Sequence, residues 1–360
     1  MLFNFSSLRL LWLKASSIFS FALSLLSLAF RVGVGFGFGL CFCLSVSSAS
    51  GEILELQSKV IEVFNQNQDA IIRVKAAFRQ DPVEGKPSQI NVKLGTGFLI
   101  SQEGHALVSA SRAMGADRIE VEFKGISYPA EAIGHDPQTN ISLIKLLKLP
   151  KYFGIMRLRS DEVPSAVGTM ILSIACPLDF APSPTIGMVS GLDKRLGDRI
   201  FPTQYIRTTI PVDVGQGGCP IFDLEGQLVG MSISSIPYIN GSYCVPAASL
   251  FRVKEDLMYS GKSERGWLGL EVKENASKST KGNVHISKMN KGGPAENAGL
   301  KVGDQIISIC GVRIEEISDL PSAIFKTRNN QLAPIKVIRG KKELDFSIKA
   351  EEAPENTASE

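Results

Sequence analysis

The sequence predicts a mainly β protein of two modules behind an N-terminal export segment. Three observations carry that reading. Between residues 70 and 245 the chain is a dense series of short apolar runs, most of them broken by Gly, Pro, Asp or Asn, which is how closed or sandwiched antiparallel sheets are punctuated. Helical periodicity is confined to short stretches. After Gly261-Lys262-Ser263 the style changes, and glycine-punctuated turns alternate with short helix and strand signals.

Taken in order, Glu52 to Asn65 reads as an amphipathic helix, with Leu54, Val60, Ile61 and Phe64 at helical spacing among charges. Strands follow at Ala70–Phe78, Ile90–Leu94, Gly97–Ile100, Ala106–Ser109, Arg118–Phe123, Tyr128–His135 and Ile141–Lys145. A second series comprises Thr169–Ile174, Thr185–Leu192, Tyr205–Ile210, Gly226–Ser234 and Ser242–Val245. From Ala247 to Tyr259 a helical period returns in Leu250, Val253 and Leu257. The second module opens at Gly266-Trp267-Leu268-Gly269-Leu270. A short helix is expected near Gly293 to Leu300, because Pro294 suits a first turn and Gly299 a C-terminal cap. Ile317 to Phe325 fits a second helix, and Ile335–Ile338 with Leu344–Ile348 a final hairpin. The domain reading is therefore 1–50 export segment, 51–262 first module, 263–350 second module and 351–360 a loose acidic tail.

Residues 1–50 carry Arg9, Lys14 and Arg31 and no acid, with apolar runs Ala15–Phe30 and Val32–Val46 and the small residues Ser47-Ser48-Ala49-Ser50 at the end. That order reads as a long signal peptide. An uncleaved membrane anchor is the alternative, since the two runs together reach the ~20 residues of a span. Three of the 39 basic residues lie there, so the body carries as many basic residues as its 36 acidic ones. A neutral body offers no electrostatic reason to expect nucleic acid. Cys176, Cys219, Cys244 and Cys310 are widely spaced, with no Cys-x-x-Cys or Cys/His pattern. No metal site and no cofactor are expected. A Cys219–Cys244 or Cys176–Cys219 bridge is open to an exported protein, and buried free thiols are the plainer reading.

The stretch Asp213-Val214-Gly215-Gln216-Gly217-Gly218-Cys219-Pro220 places three glycines between apolar runs. Such a loop lets successive N–H groups converge on one spot, which is how an oxyanion hole is built. It lacks a nucleophile where one is expected.

At this point the residues resemble a family. Gly95-Thr96-Gly97-Phe98-Leu99-Ile100, Gly104–Leu107 and Gly134-His135-Asp136-Pro137-Gln138-Thr139-Asn140 look like the N-terminal half of an HtrA/DegP-type trypsin-like protease domain. Gly187–Leu192, Tyr205–Thr208, Gly215–Pro220 and Gly226–Gly230 look like its C-terminal half. Trp267-Leu268-Gly269-Leu270 and the later Gly-Pro-Ala, Gly-Leu and Gly-Asp-x-Ile-Ile series resemble the family's PDZ domain. The likeness runs over about residues 55–350 in unbroken order. It implies a double six-stranded β-barrel followed by one PDZ domain, a β-sandwich with two helices.

Active members of that family use Ser, His and Asp: an imidazole takes the serine proton and a carboxylate orients the imidazole. Here Ser111 falls in the histidine position. The family's D-P-x-T-D-L becomes Asp136 to Ile141, with Asn140 for the carboxylate. The family's G-N-S-G-G-P becomes Gly215 to Pro220, with Gly217 for the nucleophile. Loss of one such member already costs on the order of 10⁶ in turnover in a studied serine protease. The resemblance therefore implies an inactive relative with an oxyanion loop at Gly215, Gln216 and Gly217. A rival reading gives nucleophilic work to Cys219, two residues on, although none of His105, His135 and His285 inherits the base position. Arg112 reads as a solvent-facing arginine, with carboxylate binding in the vacated cleft as the alternative. In the second module Leu268, Gly269 and Leu270 are the expected N–H donors to a peptide's C-terminal carboxylate, the peptide adding as a strand.

The expectation is an exported pseudoprotease, periplasmic or held at the outer face of the inner membrane by residues 1–50. It would bind peptide tails or unfolded protein segments as scaffold, chaperone-like factor or regulator. Homo- or hetero-oligomers with HtrA-like subunits, trimers in the family, are implied by resemblance alone. The alternative is an active endopeptidase built on Cys219, and a third reading is a tethered structural envelope protein.

Overall fold

The structure is a computed structural model and describes residues 53–80, 89–161, 166–236, 238–274 and 284–354. The expected export segment or anchor, residues 1–50, lies outside them. Among the described residues no helix is long and apolar enough to cross a membrane.

Helix α1 covers residues 53–67. Val60, Val63 and Phe64 pack on the core, whereas Ile61 faces solvent. Six strands then form a closed barrel: β1 (Ile71–Gln80), β2 (Gln89–Leu99), β3 (His105–Ser109), β4 (Arg118–Phe123), β5 (Ile126–Asp136) and β6 (Ile141–Leu146). Their order around the barrel is β1-β2-β3-β6-β5-β4. Closure removes the free edges that isolated short strands would leave. In β4 the alternation sends Ile119, Val121 and Phe123 inward and leaves Glu120 and Glu122 less buried, the period-2 pattern of a half-buried strand. One extended strand replaces the two expected at 90–94 and 97–100. Gly97 lies within it because the neighbouring strand passes close: a Cβ there would stand 2.8 Å from the Leu107 carbonyl oxygen.

The second barrel comprises β7 (Met170–Ala175), β8 (Ser183–Leu196), β9 (Arg199–Thr208), β10 (Pro220–Asp223), β11 (Leu228–Ser235) and β12 (Ser242–Pro246), ordered β10-β11-β12-β9-β8-β7. Ile72, Val74, Leu99, Val121 and Ile144 belong to the core of the first barrel, and Ile171, Val189, Ile206, Ile221 and Val229 to that of the second. A third cluster joins them. Phe98, Leu107 and Leu143 of the first barrel meet Leu172, Phe222 and Met231 of the second, and helix α3 (Ala247–Ser260) adds Leu250, Val253 and Leu257. Gly261 closes α3 in the left-handed conformation with φ +74°, a common helix end.

The C-terminal module is a sheet ordered β13-β14-β15-β17-β18, with β16 beside β15. Its strands are β13 (Leu270–Glu274), β14 (Val284–Met289), β15 (Gln305–Ile309), β16 (Val312–Arg313), β17 (Leu332–Arg339) and β18 (Lys342–Lys349). Among the described residues three further short α-helices occur: α2 (Ala110–Ala113) after β3, and α4 (Pro294–Asn297) and α5 (Asp319–Ile324) in this module. The module is docked on the barrels. Phe325 joins the cluster that holds Phe201 and Tyr205. Arg265 pairs with the buried Asp136 at 2.7 Å, Arg328 pairs with the buried Asp256 at 2.9 Å, and Lys194 pairs with Asp319. The tail does not begin loose: Glu351 exchanges backbone hydrogen bonds with Trp267 at 2.7 and 3.0 Å, and Glu352 meets Lys262 at 2.7 Å. Residues 355–360 lie outside the described residues.

Candidate functional site

The cleft forms where the first barrel's β3 end and β5–β6 turn meet the second barrel's Gly-rich loop. Asn140 sits at that turn with φ 59°, a left-handed conformation asparagine tolerates. Its carbonyl accepts the Ala110 N–H at 3.0 Å. Its side-chain Oδ1 accepts the Ser111 N–H at 2.7 Å, and Nδ2 donates to the Ile233 carbonyl of the second barrel at 2.9 Å. An ionised aspartate could make the first bond but not the second, because a carboxylate only accepts. Ser111 and Asn140 are thus brought together as their spacing predicts. The Ser111 hydroxyl lies 2.9 Å from the buried Ser109 hydroxyl, and neither group is a base at neutral pH.

The loop after β9 is held by two left-handed glycines. Gly215 has φ +86° and Gly218 φ +94°. A Cβ would stand 2.6 Å from the Cys176 carbonyl oxygen at Gly215, and 2.2 Å from that of Thr96 at Gly218. Thr96 fastens the loop to the first barrel: its N–H donates to the Gly217 carbonyl at 3.0 Å and its hydroxyl to the Gly215 carbonyl at 2.6 Å. Both carbonyls are therefore engaged by the first barrel. Among the described residues the N–H groups of Gly215 and Gly217 donate no hydrogen bond. Gln216 turns back on the loop, its Oε1 accepting the Asp213 N–H at 2.8 Å.

Arg112 is not the solvent-facing residue expected. It is half-buried, and its chain lies along Gly95, whose Cβ position is 3.1 Å from Arg112 Cγ. The guanidinium reaches Gly217, where a Cβ would stand 3.8 Å from Arg112 Nε. That Nε is buried and has no hydrogen-bond partner among the described residues.

Cys219 is buried, 1% exposed, and burial first of all pushes its thiol up to about 12. Its N–H donates to the Gln216 carbonyl at 3.1 Å. Ser173, Ser232 and the thiols of Cys176 and Cys244 are its electrostatic neighbours. All four described cysteines are free, and among the described residues no group of His, Cys, Asp and Glu is arranged to hold a metal. His105 bonds Ser101 Oγ through Nδ1 at 2.8 Å and His135 bonds Ser142 Oγ at 2.6 Å. Burial lowers the pKa of both. His285 lies in β14, in the other module.

In the C-terminal module the Leu268 carbonyl accepts the Ala295 N–H and the Gly269 carbonyl the Asn290 N–H, both at 3.0 Å. The N–H groups of Leu268 and Gly269 lie opposite carbonyls that are already engaged, Trp267 by the Glu351 N–H and Leu268 by the Ala295 N–H, and have no partner among the described residues. Gly269 has φ +71°, and a Cβ there would meet Pro294 Cδ at 2.8 Å. Leu270 opens β13, the edge strand of the sheet, so a backbone ladder is open beside the loop. Glu274 at the end of β13 accepts the Ile317 N–H at 2.6 Å just ahead of α5.

Known proteins share both halves. The trypsin-like peptidase domain family matches residues 95–231 and the PDZ domain family residues 258–338. A "Probable periplasmic serine endoprotease DegP-like" from Ectopseudomonas mendocina is 32% identical over 271 residues, covering 71% of this chain and 56% of that protein. Its namesake from Pseudomonas putida strain GB-1 is 30% identical over 277 residues, covering 74% and 57%. The chain belongs to the HtrA/DegP family. It spans about three fifths of the length of the curated relatives it matches. The HtrA-type protease AlgW solved with a tripeptide superposes with TM-score 0.67 at 23% identity, covering 82% of this chain and 97% of that one. A serine endoprotease from Yersinia pestis gives 0.58 at 19%, covering 82% and 98%. At such identity these two structures speak for the fold.

In this HtrA/DegP-family chain the structure brings Ser111 and Asn140 together and sets Arg112, expected to face solvent, against Gly217. The available signal was the pair Gly95 and Gly217. Two residues without side chains, on opposite sides of a cleft, leave room for a long one, and only the fold shows that they share a cleft.

Proposed function

We propose that this chain is an exported HtrA-type pseudoprotease that binds peptide tails or unfolded protein segments through its PDZ loop. In this reading it serves as a scaffold, chaperone-like factor or regulator of active relatives. One observation carries the proposal. The three positions that would hold a triad converge on one cleft with Ser111, Asn140 and Gly217 in them, and no imidazole is bonded to any of them. Without a base, and with a guanidinium against Gly217, nothing there removes a proton from a nucleophile. Cys219 does not substitute, because burial favours its protonated form. The free N–H groups of Leu268 and Gly269, beside an edge strand, support peptide capture by strand addition. Relatives named periplasmic support export. Assembly with HtrA-like subunits, and tethering through residues 1–50, remain part of the same proposal.

The protein is incubated with casein and, separately, titrated with a library of C-terminal peptides. The expected results are no cleavage above background and saturable binding that Gly269→Trp abolishes. Cleavage that vanishes in Cys219→Ala overturns the pseudoprotease reading, and failure to bind any peptide overturns the binding reading.

A further inference from the structure

We infer that the dismantled cleft is itself a carboxylate-binding site, formed by the guanidinium of Arg112 together with the N–H groups of Gly215 and Gly217. It is separate from the PDZ loop and stands or falls independently of it.

Three features converge. Arg112 makes no hydrogen bond or ion pair among the described residues, and its Nε is buried without a partner. A buried donor without an acceptor costs free energy, so an occupant that accepts from it is favoured. The group stands 3.8 Å from a Cβ position on Gly217, so an oxygen lying where a nucleophile's hydroxyl would be comes within its reach. The N–H groups of Gly215 and Gly217 donate to nothing among the described residues, and the carbonyls opposite them in their peptide units are already engaged, Val214 by the Leu178 N–H and Gln216 by the Cys219 N–H, both at 3.1 Å. Successive N–H groups in such a loop form an anion-binding concavity. A planar guanidinium fork and a pair of amides together match the two oxygens of a carboxylate.

The surroundings fit the charge. Lys93 donates to the Ser111 carbonyl at 3.4 Å, adding a second cation at the rim. Asn140 is neutral where a carboxylate would have repelled an anionic ligand. Val212 Cγ1 lies 3.8 Å from the same Gly217 Cβ position and gives an apolar wall for the side chain next to the carboxylate. The occupant is a peptide carboxylate, supplied by a chain terminus or by an acidic side chain.

The full chain carrying Gly269→Glu, which takes the PDZ loop out of the measurement, is titrated with three fluorescein-labelled probes. These are tetraalanine with a free C-terminus, its carboxamide, and the carboxamide with one internal glutamate. The expected result is saturable binding of the free acid, the glutamate peptide or both, and none of the plain carboxamide. Adding Arg112→Gln weakens it at least tenfold, and Arg112→Lys restores part of it. The two acidic probes tell a terminus from a side chain. A second measurement needs no variant: phenylglyoxal labels Arg112 in the wild-type chain, and the bound acidic probe suppresses the adduct while the carboxamide does not. Equal binding of the plain carboxamide, indifference to Arg112→Gln, or an adduct yield unchanged by the acidic probes overturns the proposal.

Discussion

The side-chain oxygen of Asn140 accepts the backbone N–H of Ser111 at 2.7 Å, while the same amide's nitrogen donates to Ile233 across the barrel junction at 2.9 Å. Each end of the amide has its own partner, so the residue is fitted to its place as a neutral group. Replacing it with an acid gives the Ile233 carbonyl an acceptor to face and removes a link between barrels.

On the pseudoprotease reading proposed above, building activity requires more than one change. Gly217→Ser, Ser111→His and Asn140→Asp are each expected to leave casein cleavage at background. The three together with Arg112→Val are expected to exceed any single variant by at least ~10³-fold, given that triad members act as a unit. Initial rates with fluorescent casein decide the matter, and cleavage by Gly217→Ser alone contradicts it.

The glycines of the loop differ in what they tolerate. Gly218→Ala is expected to lose at least ~2 kcal/mol, because φ is +94° and the methyl would stand 2.2 Å from the Thr96 oxygen. Gly217→Ala has neither strain nor a close neighbour and is expected to stay within ~0.5 kcal/mol. Urea denaturation of both variants is the measurement. Equal losses would mean that the loop's shape is not what the left-handed positions enforce.

Three buried thiols, Cys176, Cys219 and Cys244, set an alkaline limit on stability, burial raising each of them. Desolvation raises Cys176 to about 11 and Cys219 to about 12 from an ordinary 9.0. The unfolded chain loses these protons first as pH rises, so the folded state holds more protons above pH ~9, and stability falls with pH. The contribution is complete below ~9 and is lost up to about 12. Chemical denaturation at pH 8, 9 and 10 is expected to show a decline that Cys176→Ala/Cys219→Ala flattens. Iodoacetamide at pH 8 is expected to leave Cys219 unlabelled until the chain unfolds.

Asp256 ties the two modules. It is 2% exposed, forms an ion pair with Arg252 and takes hydrogen bonds from the Glu264 N–H at 3.1 Å and from Arg328 Nε at 2.9 Å. Asp256→Ala leaves two guanidinium groups without their acid and is expected to cost ~3–5 kcal/mol. Arg328→Ala is expected to cost less and to loosen the C-terminal module, read as a second transition in calorimetry and faster proteolysis around residues 261–265.

The order of the fold was legible where local pattern and long-range packing agree. The strand Arg118–Phe123 alternates cleanly and was read at its observed ends. Pro220–Asp223 was not read as a strand, because four residues carry no period. Its pairing with Leu172 comes from a distant part of the chain, and that with Leu228 from the hairpin that follows. Leu270–Glu274 and Val284–Met289 alternate weakly, and their ladder is set by each other. At the site, Ser111, Asn140 and Gly217 were legible because spacing on both sides of each is intact. The path of Arg112 is not legible in sequence because it depends on Gly95, 17 positions earlier, whose missing Cβ would stand 3.1 Å from Arg112 Cγ.

The contact between Arg112 and Gly217 has an evolutionary reading. A serine arriving at 217 alone would place its hydroxyl beside a cation that donates and never accepts a proton. Its lone pair would be engaged and its proton would have nowhere to go. A histidine arriving at 111 alone would have no hydroxyl to activate. Every first step back is thus without benefit to selection, and the arginine makes the most direct one a dead end. On the proposed reading the cleft acts as a ratchet: a nucleophile returning at 217 gains nothing until Arg112 leaves its side.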